Sequence, residues 1–345
     1  MDFYLSTLNQ QEQDYYHRIR AAFANQQERV RLPYASPLNG KHIQNACFAV
    51  MFDCPELFYV NPSFSARGAM GSVTLSSKFI YDRQEIIDDQ NIIQGLLNKF
   101  SRDYKGKDIT EILESLMNYF IEETTYAVNS LLNQNAASIL VYKEGQCSGY
   151  ANATNLILKE LGYEGIFVKG QFIEENKPKI EHAWLLIKIS DKYYHFDPTF
   201  CVTLNKNNGC LLDKSYFLKS NKTFAKDHVW DTRLLPNCDD DYPLRSNNSR
   251  VTRSQNQATT DSVINQSANG YKIVNNVLDF RKFFKQEYQS GKRQIEFNSN
   301  IPDYQGNELI RLLQGAIKAS LAELRVRAYS YKINTQGTLV SIILS

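Results

Sequence analysis

The sequence lacks paired cysteines, an excess of charge of one sign, and long apolar runs. Only six of its 345 residues are cysteine, and none forms a C-x-x-C pair, so the usual zinc and thioredoxin signatures are absent. Lys and Arg number 39 against 37 Asp and Glu, for a formal net charge of +2. Such a balance gives no broad attraction to nucleic acid or anionic membranes, and we expect neither as a partner.

The longest apolar runs, such as residues 47–52, are short. A helix that crosses a bilayer needs about 20 apolar residues. The N-terminal stretch MDFYLSTLNQQEQDYY has no basic start followed by an apolar segment, which a signal peptide would show. We therefore expect a cytoplasmic protein. A secreted chain whose signal had been removed would look the same.

Apolar residues make up 43% of the chain and charged residues 22%, as in a folded protein with two or three domains. Residues 245–269 differ, because sixteen of these twenty-five are Ser, Thr, Asn or Gln. A stretch of this composition buries too little apolar surface to offset its ordering entropy and is typical of a flexible linker. The predicted division is an N-terminal α/β module at 1–104, a core at 105–242, a linker at 243–270, and a C-terminal module at 271–345.

The two outer modules share a weak pattern that predicts an internal repeat. Each is expected to follow the order helix, strand, helix, strand, strand. The matched positions are Gly40 with Gly306, Ile43 with Leu309, Cys47 with Leu313, Phe58 with Leu324, Val60 with Val326, and Gly71 with Gly337. The alternative is chance agreement between two generic α/β units.

The core region begins with helical periodicity at Ile112, Leu113, Leu116, Met117 and Phe120, which continues towards Leu131 and Leu132. A second helix is predicted at 148–161, where Gly162 is a suitable C-terminal cap. Three strands are predicted after it, at 165–171, 182–189 and 192–196, and the residues Ser190-Asp191 make a tight turn between the last two.

Cys147 lies at the start of the second helix, between Gly145 and Gly149. The positive end of a helix dipole stabilises a thiolate, the nucleophilic form of cysteine. The free backbone N–H groups there can hold a developing oxyanion, and small neighbours let a substrate carbonyl approach. For Cys147 alone an inert buried thiol is the default, and a nucleophile is favoured only together with a base and an orienting carboxylate.

His182 opens one predicted strand and Asp197 follows the next. Because a two-residue turn makes these strands an antiparallel hairpin, its open end brings the two side chains together. A base held by an orienting carboxylate is what a cysteine nucleophile requires.

Three separated segments together resemble the transglutaminase-like superfamily. They agree with that family's motifs in order and spacing, and read Gly145-Gln146-Cys147 with Tyr150-Ala151, His182-Ala183-Trp184, and Asp197-Pro198-Thr199. Looser similarity to bacterial members extends to residues 53–58, 216–218 and 228–230. The resemblance implies an α+β, papain-like core, in which a nucleophile helix packs on an antiparallel sheet. It also implies that Cys147 is the nucleophile, His182 the base and later acid, and Asp197 the orienting carboxylate.

Other residues near the motifs are secondary candidates. Gln146, Trp184 and His195 are candidates for the oxyanion hole or the lining of the site, with structural roles as the alternative. For His228 we favour a structural role. Animal members of the family use calcium, but no clustered acidic loop supports such a site here, because the run at 239–241 reads as solvated surface. We expect no metal and no cofactor.

The resemblance implies an enzyme that acts on amide bonds of proteins or peptides through a thioester at Cys147. Water would then give hydrolysis, as in a peptidase, amidase or deamidase, and an amine would give transfer, as in a true transglutaminase. We favour hydrolysis, because nothing in the sequence indicates a lysine-binding channel. Glycanase activity is less favoured, because the cysteine pairs of its zinc site are absent. The alternative of another class is an inactive scaffold that binds proteins.

Overall fold

The computed structural model describes residues 2–33, 40–69, 71–127, 134–208, 212–244, 271–274, 277–301, 306–324, 326 and 330–344. The chain divides into two compact units, Met1–Tyr242 and Pro243–Ser345. Both combine helices with mainly antiparallel sheets, in agreement with the expected α+β class. The finer boundary at residue 104 stays a prediction, and so does the linker, since residues 245–270 lie outside the described ranges.

The first unit begins with a small α/β layer. Asn9 starts its main helix, because the Asn9 side chain accepts hydrogen bonds from two backbone N–H groups while Glu12 bonds back to the Asn9 N–H. The three strands form an antiparallel sheet in the order β1-β3-β2. The elements are α1 Phe3–Thr7, α2 Gln10–Ala24, β1 Arg29–Pro33, α3 Gly40–Asp53, a 3₁₀ turn at Pro55–Leu57, β2 Ser65–Ala69 and β3 Ser72–Ser76.

Two long helices follow, α4 at Arg83–Tyr104 and α5 at Ile109–Glu123. The predicted periodicity of α5 is confirmed, because its five apolar positions from 112 to 120 are all buried. The helix ends at Glu123, where Thr124 adopts an extended conformation. The predicted continuation to Leu131 and Leu132 lies outside the described residues.

The segment before the nucleophile helix is short and tightly packed. Its β4 and β5 pair in parallel. A side chain at Gly145 would approach Ile139 Cδ1 to 2.6 Å, so this glycine is required by local packing. Gly149 is buried within the helix. Packing therefore accounts for both glycines without the role expected from the sequence, which was to let a substrate carbonyl approach Cys147. The elements are β4 Thr125–Tyr126, α6 Ala136–Leu140, β5 Glu144–Gly145 and α7 Cys147–Glu160.

Helix α7 packs on a four-stranded antiparallel sheet of order β8-β7-β6-β9. The three strands predicted from the sequence are confirmed within two residues at each end. The two-residue turn is confirmed as well, since Ile189 pairs with Lys192 and Ser190 has φ +55°. The elements are β6 Gly165–Phe172, β7 Ile180–Ile189, β8 Lys192–Phe196, α8 Pro198–Asn208, α9 Asn221–Phe224 and β9 His228–Trp230.

The second unit is built from β10 Lys272–Val274, α10 Val277–Gln289, β11 Gln294–Ser299, α11 Gly306–Glu323, β12 Tyr331–Gln336 and β13 Leu339–Leu344. Its sheet order is β10-β11-β13-β12. The unit has its own core, centred on aromatic and aliphatic side chains such as Phe280, Phe297 and Leu313.

Both modules contain the series helix, strand, helix, strand, strand, although α1 and the 3₁₀ turn occur only in the first and β10 only in the second. Gly71 and Gly337 both have positive φ at a hairpin turn. The strand predicted around Phe58 and Val60 is wrong, because Pro55 starts a 3₁₀ turn there and β2 begins only at Ser65. The matched strand around Leu324 is displaced in the same direction, to Tyr331. A shared element order alone does not establish duplication, which stays a prediction. None of the described helices is long and apolar enough to cross a bilayer.

Candidate active site

Cys147 is the first residue of α7, after Gln146, which is extended and provides no side-chain cap. The Cys147 side chain is partly exposed. The other four described cysteines are buried, and burial raises the pKa of Cys47, Cys54 and Cys238 to about 12 and that of Cys201 well above its usual value. Among the described thiols, only Cys147 is therefore placed to react.

His182 and Asp197 meet at the open end of the β7–β8 hairpin, as predicted. Leu185 pairs with Phe196, so Asp197 lies one residue past the last rung and His182 three residues before it. His182 Nε2 lies 2.5 Å from Asp197 Oδ2. His182 is almost buried and Asp197 fully buried, so water does not compete for this bond.

The other ring nitrogen of His182 is available to the nucleophile, Cys147. Burial by itself lowers the pKa of His182, but the charge and hydrogen bond of Asp197 and a hydrogen bond with Cys147 more than offset this, so the pKa is raised. Nε2 is occupied by Asp197, which leaves Nδ1 for the cysteine. The structure thus brings all three predicted triad members together, in the order Cys147, His182, Asp197.

The other carboxylate oxygen of Asp197 has its own hydrogen-bond partners. Asp197 Oδ1 accepts hydrogen bonds from the backbone N–H groups of Thr199, at 2.8 Å, and Phe200, at 3.1 Å. The carboxylate therefore caps the N-terminus of α8 with one oxygen and holds His182 with the other. Burial alone raises the pKa of Asp197, but the charge and hydrogen bonds of His182 and then of His228 hold it well below its usual value.

Trp184 and His195 lie behind His182, outside the cleft. Both are fully buried, and Trp184 Nε1 donates to His195 Nδ1 at 2.9 Å. His195 Nε2 lies 2.8 Å from the side-chain oxygen of Asn221, so His195 is a neutral imidazole. Burial lowers the pKa of His195 to about 4. These two residues support the sheet, whereas Gln146 does line the cleft beside Cys147.

Two further residues lie near the triad, of which Tyr126 was missed from the sequence and His228 was expected to be structural. Tyr126 stacks on Tyr150, and burial raises its pKa to about 12, with the charges of Cys147 and Asp197 adding to the effect. His228 lies behind Asp197, with Nε2 at 3.4 Å from Oδ2. Neither residue stands in a motif that spacing alone could connect to the site.

His182, Asp197 and His228 also form a cluster of the kind that holds metal ions. Two ligands of one tetrahedral zinc ion, each at about 2.1 Å, are separated by roughly 3.4 Å. The 2.5 Å between His182 Nε2 and Asp197 Oδ2 is far shorter and fits a shared proton. The arrangement therefore favours a hydrogen-bonded triad over a metal centre.

A cleft of about 840 Å³ opens over Cys147 and His182. Its lining includes the polar residues Lys169, Gln171 and Glu181 of the catalytic sheet. Apolar lining comes mainly from residues 48–80 of the N-terminal layer.

Comparison with known proteins matches residues 98–198, which contain the whole triad, to the family model of the transglutaminase-like superfamily. Similar solved structures include a TGase, with 14% identity, TM-score 0.30 and coverage of 51% of each chain. The periplasmic domain of TgpA from Pseudomonas aeruginosa shows 17% identity and TM-score 0.28, over 40% of this chain and 58% of that one. The matches thus span only about half of these relatives' own length. No curated protein sequence matches the chain.

The two roles of Asp197 can be separated by substitution. Asp197→Asn keeps an oxygen for the cap of α8 but turns an N–H towards His182, which moves the imidazole proton to the nitrogen facing Cys147. We expect acylation of Cys147 by p-nitrophenyl acetate to slow roughly 10²-fold or more, with little change in melting temperature.

Asp197→Ala is the matched control. It removes the cap as well, so it should lose the same activity and also about 1 kcal/mol of stability. Near-normal acylation in Asp197→Asn would contradict the orienting role and leave Asp197 as a helix cap beside a Cys-His dyad.

Proposed function

We propose that the transglutaminase-like superfamily domain formed by residues 98–198 is a working cysteine enzyme, which acts on amide bonds of proteins or peptides and mainly hydrolyses them. The observation that carries this proposal is that Cys147 and His182 line an open cleft while the buried Asp197 holds His182 from behind. An inactive scaffold has no need to keep a buried carboxylate on a histidine that in turn contacts a partly exposed thiol.

The first half of the reaction forms the thioester. His182 takes the Sγ proton of Cys147, and the sulfur attacks the amide carbonyl carbon. The backbone N–H groups at the start of α7 are positioned to receive the negative charge on the carbonyl oxygen. His182 then gives its proton to the amide nitrogen, the C–N bond breaks, and the amine leaves.

The second half decides between hydrolysis and transfer. In hydrolysis, His182 takes a proton from water, the oxygen attacks the thioester, and Cys147 leaves as the thiolate. Cys147 is partly exposed, so water has access to the thioester, and this favours hydrolysis. An amine that entered the same cleft would give amine transfer by the same steps.

Mass spectrometry can separate these fates in one experiment. A bacterial lysate is incubated with the protein in ¹⁸O-water, with and without a biotinylated primary amine. We expect ¹⁸O at new C-termini for a peptidase, or at glutamates formed from glutamine for a deamidase. Biotin attached to glutamine would identify a transglutaminase instead.

Cys147→Ala is the control and should abolish every such signal, since loss of the nucleophile costs on the order of 10³-fold or more. Identical products from the wild type and Cys147→Ala would contradict the proposal and favour the scaffold.

A further inference from the structure

The apolar side of the cleft is built from residues outside the matched family domain. We call it the apolar wall, and it consists of Phe48, Met51, Phe52, Phe58, Phe64 and Ile80. Since the family match begins at residue 98, the wall comes from the N-terminal layer, outside the matched range.

The apolar wall is fixed to the catalytic sheet through a stack of aromatic rings. Phe48 stacks on Phe52 with centroids 6.1 Å apart, and Phe52 stacks on Phe167 of β6 at 5.2 Å. Strand β6 pairs with β7, which carries His182. The wall is therefore held in place relative to the nucleophile before any substrate binds.

The outer end of this stack is open. Phe48 remains 46% exposed, although it lines a cavity that also contains Cys147. An apolar ring left exposed beside a nucleophile gains free energy when an apolar group of a ligand covers it. The lining also includes polar groups at Lys169, Gln171 and Glu181, which suit the backbone of a peptide.

We propose that the apolar wall binds a bulky apolar side chain of the substrate, adjacent to the amide that Cys147 attacks. The inference rests on the proposed function and names its substrate class, an amide in a peptide segment with an aromatic or large aliphatic neighbour. Covering Phe48 would bury the ring, and because the wall and Cys147 line one cavity, a side chain held there would bring a neighbouring peptide carbonyl to the start of α7.

Peptidyl chloromethyl ketones test this selectivity without knowledge of the natural reaction. Acetyl-X-glycyl chloromethyl ketones with X as Phe, Ala or Asp alkylate Cys147, with loss of chloride. We expect the Phe probe to react at least about tenfold faster than the Asp probe. Phe48→Ser should reduce this ratio at least about threefold. Ile87→Ser, which changes an exposed apolar residue of α4 outside the cleft, should leave the ratio unchanged.

Equal rates for the three probes, or an unchanged ratio in Phe48→Ser, would overturn the inference. A change in oligomeric state of Phe48→Ser with an unchanged ratio would do the same and would assign the wall to self-association. Should Phe48→Ser fail to fold, Phe64→Ser tests the same wall. Alkylation of the wild type by iodoacetamide distinguishes failure of this inference from failure of the proposed function. If iodoacetamide did not alkylate Cys147 selectively, the proposed function itself would be contradicted.

A second and independent observation concerns His228, whose side chain is fully buried. His228 Nδ1 lies 2.6 Å from Asp227 Oδ1, and Tyr216 donates its hydroxyl to the other oxygen of Asp227 at 2.6 Å. His228 Nε2 lies 3.4 Å from Asp197 Oδ2. Within the described ranges, Nε2 has no well-aligned hydrogen-bond partner.

This geometry restricts where the protons of His228 lie. A carboxylate accepts hydrogen bonds only, so the contact with Asp227 requires a proton on Nδ1. A neutral ring would then leave the electron-rich Nε2 only 3.4 Å from the anionic oxygen of Asp197, and the two would repel each other in a buried site. A proton on Nε2 removes the repulsion and places a cation between two carboxylates.

We infer that His228 is a positioning residue, a buried imidazolium that holds Asp197 in place and extends the triad to Asp227 and Tyr216. The ionisable groups that face it are Asp227 and Tyr216 on one side and Asp197 and His182 on the other. His195 lies nearby as a neutral ring. Apolar rings close the remaining surface, with Phe224 the nearest at a centroid distance of 4.1 Å.

The charge can be tested through the pH dependence of Cys147 alkylation by iodoacetamide. A cation near the pair of Cys147 and His182 favours the thiolate, so its loss should move the acid limb of the rate to higher pH, by roughly one unit. Both His228→Gln and His228→Asn remove the charge and should show this shift. Phe224→Leu alters only the packing beside His228 and should not move the acid limb.

The two amides differ in the contact that they keep. His228→Gln can place an N–H near the position of Nε2 and should retain most of the plateau rate, whereas His228→Asn reaches only Asp227 and should lose about tenfold. If the acid limb of the alkylation rate did not move in either variant, the claim that His228 is a charged imidazolium would be wrong. If the two variants had equal plateau rates, the claim that His228 holds Asp197 in place would be wrong.

Discussion

The site depends on one carboxylate with two tasks. Asp197 Oδ2 holds His182 at 2.5 Å, while Asp197 Oδ1 caps α8. The same buried group therefore fixes the direction of the base and the start of the helix that covers it. Because the side chain is fully buried, its charge must be compensated on the spot, and the histidines on its two sides are placed to do so.

Hairpin geometry brings the triad together, and this part could be predicted from the sequence. A two-residue turn sets the register of β7 and β8, and the register determines which residues meet at the open end. Helix α7 could be predicted as well, because its apolar spacing and the glycines around it are local signals.

The remaining features of the site depend on tertiary packing, which local patterns do not record. Trp184 was a candidate for the cleft, but its indole N–H finds His195 inside the sheet. Phe58 and Val60 have the composition of a strand, yet Pro55 starts a 3₁₀ turn that β2 follows only later. The apolar wall and His228 come from segments outside the three main motifs, with at most the looser similarity noted at residues 53–58 and 228–230, and only the fold places them at the triad.

The account's central claim is that Cys147 and His182 act as a coupled pair. The most direct test is alkylation of the full chain by limiting iodoacetamide, with peptide mapping of the modified thiols, for the wild type and for His182→Gln. The account predicts that Cys147 of the wild type is labelled much faster than the other cysteines near neutral pH, and that His182→Gln loses this advantage. A Cys147 that reacts no faster than an ordinary thiol, or equally fast in both proteins, would contradict it.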